Sequence, residues 1–190
     1  MSDIVYSYVD KAPQKNRHII SAMVENEFGV LARVIGLFSS RGYNIESLTV
    51  AEVEAKNKVS RITVVTSGDD MIIEQIKAQL ERLVPVHSVH DLTLECKHIE
   101  RELALVKVRS TGEERVEALR IADIFRARVV DTTRESFVFE ITGLSEKLDS
   151  FIELMRPLGL INIARTGVVA ISRGPSNLRN ARKSDTPNEE

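Results

Sequence analysis

The residues best equipped for chemistry lie together in Glu25-Asn26-Glu27-Phe28-Gly29, at the entrance to an apolar run of helical period. A glycine at a strand-to-helix turn permits a positive φ or a close approach of backbone to a ligand. The unpaired N–H groups that follow it favour a carboxylate at the helix N-terminus. An asparagine amide both donates and accepts hydrogen bonds. Asn26 and the later Asn44 therefore suit the carboxylate and ammonium ends of one small zwitterion, with Val30 and Ile45 as apolar walls for its side chain. The same residue types also build ordinary caps and turns, and spacing alone leaves both readings open.

Other chemistry-bearing residues converge less well. His87 and His90 are three apart, with Cys96 and His98 nearby, but positions i and i+3 of a strand point to opposite faces. A metal centre needs three or four convergent ligands, so these read as exposed linker histidines. Cys96, alone in the chain, cannot form an internal disulfide and reads as a small, partly buried side chain in a reducing compartment. No G-x-S-x-G, H-E-x-x-H, G-x-G-x-x-G or P-loop is present. The carboxylates of "EERVEALR" and "SEKLDS" alternate with Lys and Arg, as on solvated helix faces. A small hydrolase is thereby disfavoured, since no nucleophile and base stand at recognisable spacing.

Composition narrows the class. Of 190 residues, 43% are hydrophobic and 28% charged, with a formal net charge of -2, so a packed core is attainable and no uniform field draws nucleic acid or anionic lipid. The first sixteen residues lack both the long apolar core of a signal peptide and the Arg-rich character of a transit peptide. Nothing approaches the roughly 18 consecutive apolar residues of a membrane span. The expectation is a cytoplasmic protein with a small-molecule or protein partner.

The elements that must position the Asn-Gly turn follow from changes of hydrophobic period. "RHIISAMV" is a strand run, after which Val30, Leu31, Val34, Ile35, Leu37 and Phe38 fall at helical spacing. "NIESLTVAEVE" and "VSRITVVTS" return to strand period. Ile72, Ile73, Ile76, Leu80 and Leu83 then define a second helix, which Pro85 ends before a strand around Val86 and Val89. The order strand-helix-strand-strand-helix-strand predicts a ferredoxin-like α+β sandwich, with one sheet face under two helices and the other open.

The same order recurs from Glu100. "RELALVKV" is a strand, "GEERVEALRIADIF" a helix, "RARVVDT" and "SFVFEIT" a strand pair, "SEKLDSFIELMR" a helix and "INIARTGVVAIS" a strand. Two ferredoxin-like βαββαβ sandwiches in tandem are predicted, over 17–94 and 100–174, joined near 94–99, with 1–16 and 175–190 as flexible polar tails. Each half is small for a self-sufficient core, which predicts at least a dimer. The first half, complete as a sandwich, is expected to fold and pair without the second.

These segments carry a resemblance. "ENEFGVLARVIGLFSSRGYNIESLTV" followed by "SRITVV" strongly resembles the N-terminal ACT domain of the small regulatory subunits of acetolactate synthase (acetohydroxyacid synthase). "RELALVKV", "IFRARVVD" and "GVVAISRG" resemble the second domain of that family, so the likeness covers about 17–174. It implies a homodimeric, non-catalytic subunit that binds and activates the catalytic large subunit. It also implies feedback inhibition by valine or another branched-chain amino acid held between the ACT domains of paired chains. The ligand-binding positions it implies are Asn26, Gly29, Val30, Leu31, Asn44 and Ile45. Thiamine diphosphate, Mg2+ and FAD would then belong to the large subunit, with no cofactor on this chain. Family members often carry a small residue or proline before the glycine; here Phe28 stands there, to pack across the dimer or to narrow the pocket. The alternative is a free-standing ACT-type amino-acid sensor that controls another enzyme.

Overall fold

The computed structural model describes residues 16–109 and 111–175. The tails expected over 1–16 and 175–190 lie outside these residues except at Asn16 and Pro175.

In the first half, β1 (Asn16–Glu25) leads into α1 (Val30–Ser40), then β2 (Ser47–Glu54), β3 (Val59–Gly68), α2 (Asp70–Glu81) and β4 (Val86–Asp91). The strands form an antiparallel sheet in the order β2-β3-β1-β4. Period-two patterning puts Ile20, Ala22, Val24, Ile62 and Val64 on the face under the helices. Against them α1 sets Val30, Val34 and Phe38, and α2 sets Ile73, Ile76 and Leu80. Asp69 caps α2, its carboxylate accepting the Ile72 N–H at 2.8 Å.

In the second half, β5 (His98–Arg109), α4 (Gly112–Phe125), β6 (Arg128–Thr132), β7 (Ser136–Gly143), α5 (Ser145–Met155) and β8 (Leu160–Arg165) repeat the order, with the strands arranged β6-β7-β5-β8. Its core gathers Val106, Val108, Ile121, Phe139, Phe151 and Met155, with the Phe139 and Phe151 rings edge to face at 6.0 Å. The fold is thus two ferredoxin-like βαββαβ sandwiches in tandem.

Three features depart from the sequence expectation, and all concern the junction. The run 161–172 is not one strand. It breaks at Thr166–Val168, where Gly167 takes φ +80°, and resumes as β9 (Val169–Ser172), which pairs with His98–Arg101 of β5. The join near 94–99, read as a linker with exposed histidines, is regular structure, because α3 (Leu92–Glu95) and the start of β5 fill it. Asp91 caps α3, accepting from the Thr93 and Leu94 amides. Finally, the helix-free face of the first sheet is not left open: Val168 and Ala170 of the β5–β9 ribbon pack with Leu92 onto Ile19 and Val65. Only patterning across 100 residues of chain distance would have shown this, since Ile19 and Val65 sit on strands buried on both faces.

Candidate functional site at the start of α1

Gly29 is the residue before α1 and takes φ +84°, a left-handed conformation that costs other residues about 1–2 kcal/mol. A Cβ built there would meet nothing within 4 Å, so the glycine serves the backbone turn and leaves open space before the helix. No side chain caps α1, and its first turn holds no acidic residue, whereas α2, α4 and α5 each carry one or two there. The first turn of α1 thus brings no carboxylate of its own to the positive end of the helix dipole.

Asn26 is exposed, and its backbone N–H donates to the Lys58 carbonyl at 2.6 Å, which fixes the turn against the start of β3. Phe28 is fully exposed, its ring touching none of the chain's own core. Leu31 is also exposed, and so stands at the surface of the same turn. Val30 is placed differently: it is buried in the first core with Val34 and Phe38, and from there it cannot wall a ligand outside the helix.

Asn44 and Ile45 precede β2. Asn44 is exposed, its carbonyl accepting the Thr66 hydroxyl at 2.6 Å, while Ile45 packs partly onto the first core. Lys58 and Thr66, which anchor the two asparagines, are eight residues apart along β3. At about 3.3 Å per residue, Asn26 and Asn44 stand at opposite ends of the sheet, roughly 25 Å apart. One chain therefore cannot bring both asparagines to a single small zwitterion. A shared site requires Asn26 of one chain and Asn44 of another.

Among the described residues no group of three His, Cys, Asp or Glu side chains is arranged to hold a metal ion. His90 is not an exposed linker residue. It is largely buried on β4 and hydrogen-bonds Glu95 at 2.9 Å. Cys96 is half-buried, and burial, then the Glu95 and Asp91 carboxylates, push its thiol pKa up. His18, which sequence reasoning passed over, is buried with its Nδ1 2.8 Å from Asp91 Oδ2. It ties β1 to the residue that caps α3.

A second polar cluster marks the junction. Glu102, buried on β5, receives Nε and Nη2 of Arg165 at 2.8 and 2.6 Å and the Ser145 hydroxyl at 2.8 Å. The Arg165 guanidinium holds the Glu102 carboxyl below the ordinary carboxylate range, against the opposing effect of burial. Glu102 and Arg165 line a cleft of about 520 Å³ between the halves, with Ser47, Leu48 and Val168 on its walls. Neither residue carried a signal in the sequence, because each sits in an otherwise regular strand run. Among the described residues no helix is long and apolar enough to cross a membrane.

Tandem βαββαβ sandwiches, the first with a glycine-led turn into α1 and an exposed asparagine at its mouth, define an ACT-type protein. Residues 20–88 match the family described as an AHAS small subunit-like ACT domain, and residues 101–174 match the small subunit of acetolactate synthase. The chain is 48% identical over 158 residues to a probable acetolactate synthase small subunit of Archaeoglobus fulgidus, covering 83% of this chain and 98% of that one. It is 45% identical to the small subunit of isozyme 3 from Escherichia coli, covering 86% and 99%. The solved acetolactate synthase small subunit of Thermotoga maritima superposes with a TM-score of 0.77 at 40% identity, covering 85% and 99%. The chain belongs to the acetolactate synthase small-subunit family.

Proposed function

We propose that this chain is the regulatory subunit of an acetolactate synthase, a homodimer that binds the catalytic large subunit and raises its turnover. It also lets valine, or another branched-chain amino acid, inhibit the first common step of branched-chain synthesis. Membership of the family along both domains supports the partner. The single observation that carries the effector site is the open, uncapped start of α1 behind the left-handed Gly29, with exposed Asn26 beside it. The α1 amides and helix dipole receive the amino acid's carboxylate. Its ammonium group meets the side-chain oxygen of Asn44 from the paired chain. The exposed Phe28 and Leu31 supply apolar surface that a second chain and the effector's side chain cover together.

On this reading the chain has no catalytic role alone, and thiamine diphosphate, Mg2+ and FAD reside on the large subunit. Thermal melting of the purified chain with L-valine, L-leucine and L-isoleucine tests the effector. A ligand that binds only the folded state raises the melting midpoint, by an amount that grows with its concentration. Extra methylenes in an apolar pocket change affinity by only about 1–3 kcal/mol each, so the three amino acids are expected to differ in degree. No shift with any of them contradicts the site.

A further inference from the structure

The first sheet and the second domain meet through a peptide held from both sides. On β2 the Ser47 hydroxyl accepts the Val168 N–H at 2.8 Å, and the Thr49 hydroxyl donates to the Val168 carbonyl at 3.0 Å. Ser47 and Thr49 pair with Val65 and Thr63 of β3, and alternate residues of a strand share a face. Their side chains therefore stand on the side of the sheet that Val168 and Ala170 cover. The approach is close enough to require a glycine. At Gly167 (φ +80°) a Cβ would lie 2.7 Å from the Ser47 Oγ and 3.1 Å from the Thr49 Cγ2. The peptide so held leads directly into β9, and Thr166 before it bonds β5, with the Leu103 amide donating to its hydroxyl at 3.1 Å.

The other end of this arrangement is the effector site. Ser47 lies three residues after Asn44 and two after Ile45, at the first position of β2. A rotation of the Asn44–Ile45 loop has little slack to lose before it reaches Ser47, because Thr66 holds the Asn44 carbonyl and the Glu46 amide donates to Val65 at 2.8 Å. We propose that Ser47 and Thr49 are positioning residues that carry effector occupancy from the Asn44 loop to the Thr166–Ser172 segment of the second domain, through the doubly held Val168 peptide. The proposal rests on the reading that this loop contacts the amino acid.

The test uses the full chain with its cognate large subunit and L-valine as probe. Thr49→Val exchanges the hydroxyl for a methyl, Thr49→Ser keeps the hydroxyl, and Gly167→Ala pushes the peptide off Ser47. In Ser47→Ala/Thr49→Val, calorimetry is expected to show L-valine bound within about threefold of the parent affinity, with activation of the large subunit retained. The inhibition reached at saturating valine is expected to fall about tenfold or more, because occupancy is kept while its coupling to the large subunit, of the size ordinary between sites, is lost. Gly167→Ala should behave alike, and Thr49→Ser should restore the parent response. Hydrogen exchange at the Val168 amide should slow with valine in the parent and not in the Gly167→Ala chain, a readout that a merely structural contact would not move. Inhibition of the double variant at the parent's valine concentration overturns the proposal. Should the double variant fail to fold, Thr49→Val alone is judged by the same criteria. A parent chain that binds no L-valine overturns the effector site first, and the coupling with it; a parent that binds while the variants stay inhibited overturns the coupling alone.

Discussion

The Ser47 hydroxyl lies 2.8 Å from the Val168 nitrogen, although the two residues are 121 positions apart. Through that bond, and the Val168 and Ala170 side chains on Ile19 and Val65, the second domain roofs the sheet of the first. The two halves are thus separate sandwiches that share a third, smaller core.

If the proposed site is right, Gly29→Asp places a carboxylate where the effector's own carboxylate is received. Aspartate tolerates the left-handed backbone better than most residues, and open space surrounds the position, so the strain is about 1 kcal/mol and the chain stays folded. Valine binding measured by calorimetry is expected to vanish, with Asn26→Ala losing part of it. Parent-like binding in both variants would place the site elsewhere.

The separation of Asn26 from Asn44 gives a complementation test. In a two-fold dimer, a chain with Asn26→Ala paired with a chain carrying Asn44→Ala leaves one site doubly defective and the other intact. Mixed dimers are expected to recover about half the parent's valine capacity by equilibrium dialysis, the two-site symmetry giving the fraction. Each homodimer should remain poor. No recovery on mixing would mean that each chain binds with its own residues only.

Glu102 supplies a pH signature. Its folded pKa is depressed, first by the Arg165 hydrogen bonds, so its stabilisation is present above the unfolded value of about 4.3 and is lost as pH falls through the folded value. Glu102→Gln should cost about 1–3 kcal/mol at neutral pH, less than a fully buried pair because Arg165 is 32% exposed. Urea melts should show the gap between variant and parent narrowing towards pH 3. A gap independent of pH would show that the charge of Glu102 contributes nothing.

A chain ended at Lys97 retains all of the first sandwich but loses the ribbon, uncovering Ile19, Val65 and Leu92. It is expected to melt cooperatively at a lower temperature than the full chain and to bind a hydrophobic dye more strongly. Melting at the parent temperature without added dye binding would show that the third core contributes nothing to the first domain.

Much of this was legible in the residues. Val34, Phe38, Ile73, Ile76 and Leu80 fall in the core at the spacing that their helices predict, and both βαββαβ orders follow from where the period switches. Gly29 shows the positive φ that its place in the turn suggests. What was hidden is long-range. Val30 has the right type for a pocket wall, yet the first turn of an α-helix that rests on a sheet points it into the core. "INIARTGVVAIS" reads as strand but for one glycine; the chain turns there at the left-handed Gly167, with the Val168 peptide bonded to Ser47 and Thr49, and the contact that a Cβ would make with β2 explains why that residue is glycine. The distance between Asn26 and Asn44 is likewise a property of the sheet, invisible in a spacing of eighteen residues.

The regulatory reading is tested most directly by reconstitution. The purified chain, its cognate large subunit and their mixture are assayed for acetolactate formation from pyruvate, with and without L-valine. This chain alone is expected to form no acetolactate, turnover is expected to rise when it is added to the large subunit, and valine is expected to lower that raised turnover. The large subunit should also shift this chain's valine affinity by the factor by which valine shifts the affinity between the subunits. Acetolactate formed by the isolated chain, or a mixture whose turnover neither rises on addition nor responds to valine, would contradict the regulatory reading.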